Sequence, residues 1–139
     1  VNPIYTPGVN DIINGSVVLT MTATGISPCG DVSDDMILTI TPAAIANAGI
    51  DDVICAGDTY TLFGSGSNNN GYIWSTSGDG VFSNINTVNT DYTPGANDIS
   101  NGTVDLTIVA TGNGTCADAT DVMILTIISL PTPGPIQHN

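Results

Sequence analysis

The chain repeats itself. Residues 1–41 align without a gap onto residues 88–128 at a constant offset of 87, and 25 of the 41 positions are identical. VNPIYTPGVNDIINGSVVLTMTATGISPCGDVSDDMILTIT stands against VNTDYTPGANDISNGTVDLTIVATGNGTCADATDVMILTII. A period of 87 residues is too long for a solenoid unit and has the size of a small independent sandwich domain. The 139 residues therefore divide into three parts. Residues 1–41 are the C-terminal half of a preceding repeat, and 45–128 form a complete one. The Pro-rich stretch 129–139 is expected to be a linker to a following domain. Only TPAAIANAG lies between the copies. That connection has little Gly/Ser flexibility, so neighbouring repeats should be stiffly coupled.

Within the complete repeat the pattern predicts about seven strands. The first lies near Asp51–Ala56, followed by Thr59–Phe63, Tyr72–Ser75, a strand near Val81–Ser83, Val88–Thr93, Thr103–Thr111 and Asp121–Ile127. Val104, Leu106, Ile108 and Ala110 alternate with Thr103, Asp105, Thr107 and Thr111, and Met123, Leu125 and Ile127 share one face. Period-two alternation marks strands with one buried face. Ser-Gly-Asp-Gly at 77–80 and Asn-Gly at 70–71, 101–102 and 113–114 supply the turns. Thr93-Pro94-Gly95-Ala96-Asn97-Asp98-Ile99 reads as a short helical crossover with Thr93 as N-cap, Pro94 as first helical residue and Ile99 plugging the core. Trp74 is the expected core anchor. The fold class is all-β: an immunoglobulin-like Greek-key β-sandwich.

The charge balance excludes whole classes of partner. The chain has thirteen aspartates, no Glu, no Lys and no Arg. Nothing in it can neutralise a phosphate, so nucleic acid is not an expected partner. Direct contact with an anionic membrane is unexpected for the same reason. Without Lys, no intramolecular isopeptide bond can form within 1–139. Uniform negative charge should keep a long exposed polymer soluble.

Several strings carry a family resemblance. AGIDDVICAGDTYTL, YIWSTSGDGVFS, DYTPGANDISNGTVDLTIVATG and DVMILTI resemble the tandem immunoglobulin-like or PKD-like repeats of large Bacteroidota cell-surface adhesins, including gliding-motility-type proteins. The resemblance implies export to the bacterial cell surface, often by the type IX route. It also implies a role in adhesion, filaments or motility. The expected partners are neighbouring repeats of the same polypeptide, with self-assembly into filaments or contact with surface glycans. The alternative is an accessory, glycan-binding sandwich module of a secreted polysaccharide-degrading enzyme, which needs exposed aromatic rings on one face.

No enzyme is expected. The single histidine, His138, is next to the last residue, so Ser-His-Asp and Cys-His arrangements lack an internal base. Cys29, Cys55 and Cys116 form no C-x-x-C pair, which argues against zinc. In an exported protein a disulfide is the better reading. Cys29 and Cys116 are repeat-equivalent and cannot be partners in one sandwich. The register therefore pairs Cys55 with Cys116 and sends Cys29 to a cysteine outside the chain. No metal or other cofactor is expected. Calcium is the alternative, at Asp51, Asp52, Asp118 and Asp121, although no D-x-D-x-D-G loop is present. The competing reading is that these aspartates bond the backbone at turns and strand ends. Asn14-Gly15-Ser16, Asn101-Gly102-Thr103 and Asn113-Gly114-Thr115 match the glycosylation sequon and read more simply as Asn-Gly turns. Asp58-Thr59-Tyr60 loosely resembles the Asp-Ser/Thr glycosylation signal of the same bacterial group.

Overall fold

A computed structural model describes residues 2–131 and 134. The chain divides into two compact units, 1–42 and 43–139. His138 and most of the 129–139 stretch lie outside the described residues.

The first unit contains helix α1 (Val9–Asn14), strand β1 (Ser16–Ala23) and strand β2 (Val32–Thr39). β1 and β2 pair antiparallel in a two-stranded sheet, with Leu19 opposite Met36 and Val17 opposite Leu38. Gly15 ends α1 in the left-handed region at φ 72°.

The second unit is a sandwich. Its elements in chain order are β3 (Ile45–Asn47), β4 (Asp52–Cys55), β5 (Tyr60–Phe63), β6 (Ser65–Ser67), β7 (Asn69–Thr76), β8 (Val81–Phe82), β9 (Asn89–Thr93), α2 (Ala96–Asn101), β10 (Thr103–Gly112) and β11 (Ala119–Ile128). One sheet has the order β4-β11-β10-β7, with β4 parallel to β11 and the other pairs antiparallel. The facing layer has the order β5-β9-β8, and β3 pairs with β6, one residue beyond β5. The opening segment thus splits. β3 joins the strand region that continues β5, and β4 crosses to run beside β11. A strand that changes sheets in this way closes one side of a sandwich.

The alternation in β10 and β11 decides which face is buried. Val104, Leu106, Ile108 and Ala110 point inward from β10, and Met123, Leu125 and Ile127 from β11. All of these except Ala110 meet Leu62, Trp74 and Tyr92 in one cluster. The Trp74 indole donates to the carbonyls of Thr87 (3.0 Å) and Val88 (3.3 Å), so the ring is buried without orphaning its N–H. Phe82 stacks at a tilt between Trp74 and Tyr92. Ile99 packs against this cluster from α2, as the crossover reading expected.

Two features differ from the sequence reading. The helix starts at Ala96 and is capped at Gly95, not at Thr93. The cap comes from within the helix, because the Asp98 carboxylate accepts the Gly95 N–H at 3.0 Å. A Thr93 hydroxyl is not needed there, and Thr93 instead ends β9. In addition, β3 and β6 were not anticipated. Ser65-Gly66-Ser67 has no apolar alternation, and its pairing with Ile45–Asn47 is made by backbone alone.

Candidate functional site

The most organised polar site is a buried carboxylate at the α2 end of the sandwich. Asp98 is 1% exposed. Its oxygens accept four hydrogen bonds: from the Tyr92 hydroxyl (2.7 Å), Gly95 N–H (3.0 Å), Gly80 N–H (3.0 Å) and Asp79 N–H (3.1 Å). Asp79 answers from the Ser-Gly-Asp-Gly turn. Its carboxylate accepts the N–H groups of Asn97 and Asp98 at the start of α2. Each aspartate therefore satisfies backbone donors on the other's segment, and the orphan N–H groups of the helix start are covered. Tyr92 in turn is bridged to Thr76 on β7 at 2.8 Å. A side chain at Gly78 would collide with Asp98 Oδ1, so the turn must be glycine-rich for the carboxylate to sit beneath it.

The electrostatics follow from this shell. Burial pushes the Asp98 carboxyl up, but the bonds from Tyr92, Gly95, Asp79 and Gly80 outweigh it and hold the group below its ordinary value. Burial, reinforced by the neighbouring Asp98 carboxylate, pushes the Tyr92 phenol up to about 12. With its acceptor capacity filled, Asp98 ties the β7–β8 turn, β9 and α2 together. Sequence reading missed it. The available signal was the recurrence of Tyr and Asp six residues apart, Tyr5 with Asp11 and Tyr92 with Asp98, in YTPGxND.

The four calcium candidates do not converge. Asp51 accepts the Ile124 N–H (2.8 Å), and Asp121 accepts the Ala48 N–H (2.8 Å). Asp118 closes the β10–β11 loop by accepting the Gly112 N–H (2.8 Å). Asp52 accepts its neighbour Val53 N–H (2.8 Å) and the Tyr60 hydroxyl (3.1 Å). Among the described residues, no group of three or more His, Cys, Asp or Glu side chains could hold a metal ion. Each of the four carboxylates accepts a backbone N–H instead, the pattern expected of aspartates at turns and strand ends.

The disulfide expectation is corrected by topology. No disulfide is formed among the described residues. Cys55 ends β4 opposite Ile128, at the C-terminal end of β11. Cys116 precedes Ala119, at the N-terminal end of β11. A strand of that length holds its ends roughly 30 Å apart, whereas bridged Cα atoms lie within about 7 Å. The repeat register places both cysteines but does not reveal the parallel course of β4, which carries Cys55 away from Cys116. A partner for Cys29 outside the chain is a separate expectation, which the geometry of Cys55 and Cys116 does not touch. Of the Asn-Gly pairs, Asn101-Gly102 ends α2 with Gly102 at φ 76°, so it serves as a helix stop.

No protein-family model matches the chain, and no curated protein matches it.

Proposed function

We propose that this chain is a structural and adhesive repeat module of a large secreted protein at a bacterial cell surface or in a filament. It acts as a stiff spacer or stalk. The observation that carries this reading is the ungapped match of residues 1–41 to residues 88–128 at an offset of 87, with only residues 42–44 between the partial copy and the complete one. β2 ends at Thr39 and β3 begins at Ile45, which leaves residues 40–44 to join them. Those residues include Pro42 and no glycine, and so short a connection restricts relative motion. Polar side chains engaged in closing turns and capping a helix also suit a module whose task is to persist outside the cell. The partners in this reading are neighbouring repeats, other filament subunits or surface glycans. The glycan-binding accessory module is the weaker reading. In the complete repeat Phe63 is the strongly exposed ring, and one ring is not a stacking platform.

Small-angle scattering on two complete repeats in tandem tests the spacer. The proposal expects a narrow distribution of separations between the two repeats. A broad distribution, as for domains on a flexible tether, would refute it.

A further inference from the structure

The first unit repeats the inward face of β10 and β11 but lacks what covers it. Its register is the same: Leu19 lies opposite Met36 as Leu106 lies opposite Met123. Its exposure is not. Met21 is 73% exposed and Met36 57%, while their equivalents Ile108 and Met123 are buried at 0% and 1%. These side chains line an open groove of about 580 Å³ together with Tyr5, Leu19 and Asp34.

The polar groups on this face are half-served in the same way. Asp11 accepts from the Tyr5 hydroxyl (2.5 Å) and Gly8 N–H (2.8 Å), reproducing two of the four donors at Asp98. The other two come from the Asp79–Gly80 turn, which 1–42 does not contain. Asp34 is the equivalent of Asp121, whose donor is the Ala48 N–H. Ile37 is the equivalent of Ile124, whose N–H goes to Asp51. Each missing partner falls within one stretch of a repeat, between the equivalents of Ala48 and Gly80. The missing apolar cover, Leu62 and Trp74, falls in that stretch too.

We propose that this face is a docking surface for the N-terminal half of a repeat, of the pattern seen in residues 43–87, carried directly ahead of Val1 in the same polypeptide. The inference rests on the repeat reading, not on the stiffness of the spacer. The occupant is specified chemically. It brings a Leu and a Trp onto Leu19 and Met21, two turn N–H groups to Asp11, one N–H to Asp34 and a carboxylate to the Ile37 N–H. Val1 is the equivalent of Val88, so such a half joins it with no added linker.

The test is a fusion that places a copy of residues 43–87 immediately before Val1 of the full chain. Hydrogen peroxide converts exposed methionines to sulfoxides and spares buried ones. In the 139-residue chain, Met21 and Met36 should oxidise rapidly and Met123 slowly. In the fusion all three should oxidise at the slow Met123 rate, and the Tyr5 phenol should titrate as high as that of Tyr92. Rapid oxidation of Met21 and Met36 in the fusion, whatever Met123 does, overturns the proposal. Trp74→Asp in the added copy alone should restore rapid oxidation of Met21 while Met123 stays protected. Continued protection of Met21 in that variant also overturns it. A dimer of the 139-residue chain with Met21 and Met36 already protected would assign the face to a second copy and overturn it as well. Flexible tandem repeats in the scattering experiment would defeat the spacer and leave this outcome unaffected.

Discussion

An aspartate in this chain has no lysine or arginine to pair with, and its partners are N–H and O–H groups instead. Asp98 carries this furthest, with four donors on a buried carboxylate. In Asp98→Asn, one amide oxygen faces four donors and the new NH₂ brings two more. We expect the complete repeat to lose about 3 kcal/mol, since each stranded buried donor costs about 1–3 kcal/mol, as read by urea denaturation. Asp11→Asn should leave that transition within about 0.5 kcal/mol, because Asp11 belongs to the other compact unit and accepts its hydrogen bonds from Tyr5 and Gly8 there. The pH dependence has two limbs. The folded pKa of Asp98 is depressed, so its contribution is present above the ordinary carboxylate value of 3.8. That contribution is lost as pH falls through the lower folded value. The folded pKa of Tyr92 is raised from 10.0 to about 12. Its contribution is complete below pH 10 and lost as pH rises through about 12. Alkaline titration should show Tyr92 ionising together with the loss of Trp74 fluorescence. Tyr92→Phe should remove that coupling.

The strands were legible where one face is apolar and the other is not. β10 and β11 could be bounded within two residues from Val104, Leu106, Ile108 and Met123, Leu125, Ile127 alone. β6 could not, because its Ser-Gly-Ser face is neutral and only the approach of β3 makes it a strand. The direction of β4 was equally hidden. A four-residue strand reads the same parallel or antiparallel, and here the choice places Cys55 beside Ile128. A non-reducing peptide map made with an Asp-directed protease should therefore contain no Cys55–Cys116 linkage. The helix end was legible in Asn101-Gly102, and Gly102→Ala should cost about 1 kcal/mol because φ is 76° there. The carboxylate shell was not legible. Its donors come from Asp79, Gly80, Tyr92 and Gly95, and only the fold gathers them around Asp98.

At the scale of the whole molecule, two stretches of 41 residues, identical at 25 positions, occur in two settings. In the second unit they supply β9 to one layer of a closed sandwich and β10 and β11 to the other, with α2 joining β9 to β10. In the first they form a helix and a hairpin with an open apolar face. An isolated two-stranded hairpin is marginal in water, and most of a strand's stability comes from the layer that covers it. Closure of the sandwich, not strand sequence, is thus the source of rigidity in each repeat, and a rigid repeat is what a spacer requires. Native-state hydrogen exchange on the 139-residue chain tests this directly, because it compares equivalent amides within one molecule. The amides of Leu106, Ile108, Met123 and Leu125 should exchange only through global unfolding of the second unit. Those of Leu19, Met21, Met36 and Leu38 should exchange far faster under the same conditions. Equal protection of the two sets in a monomeric sample would contradict closure as the source of that rigidity.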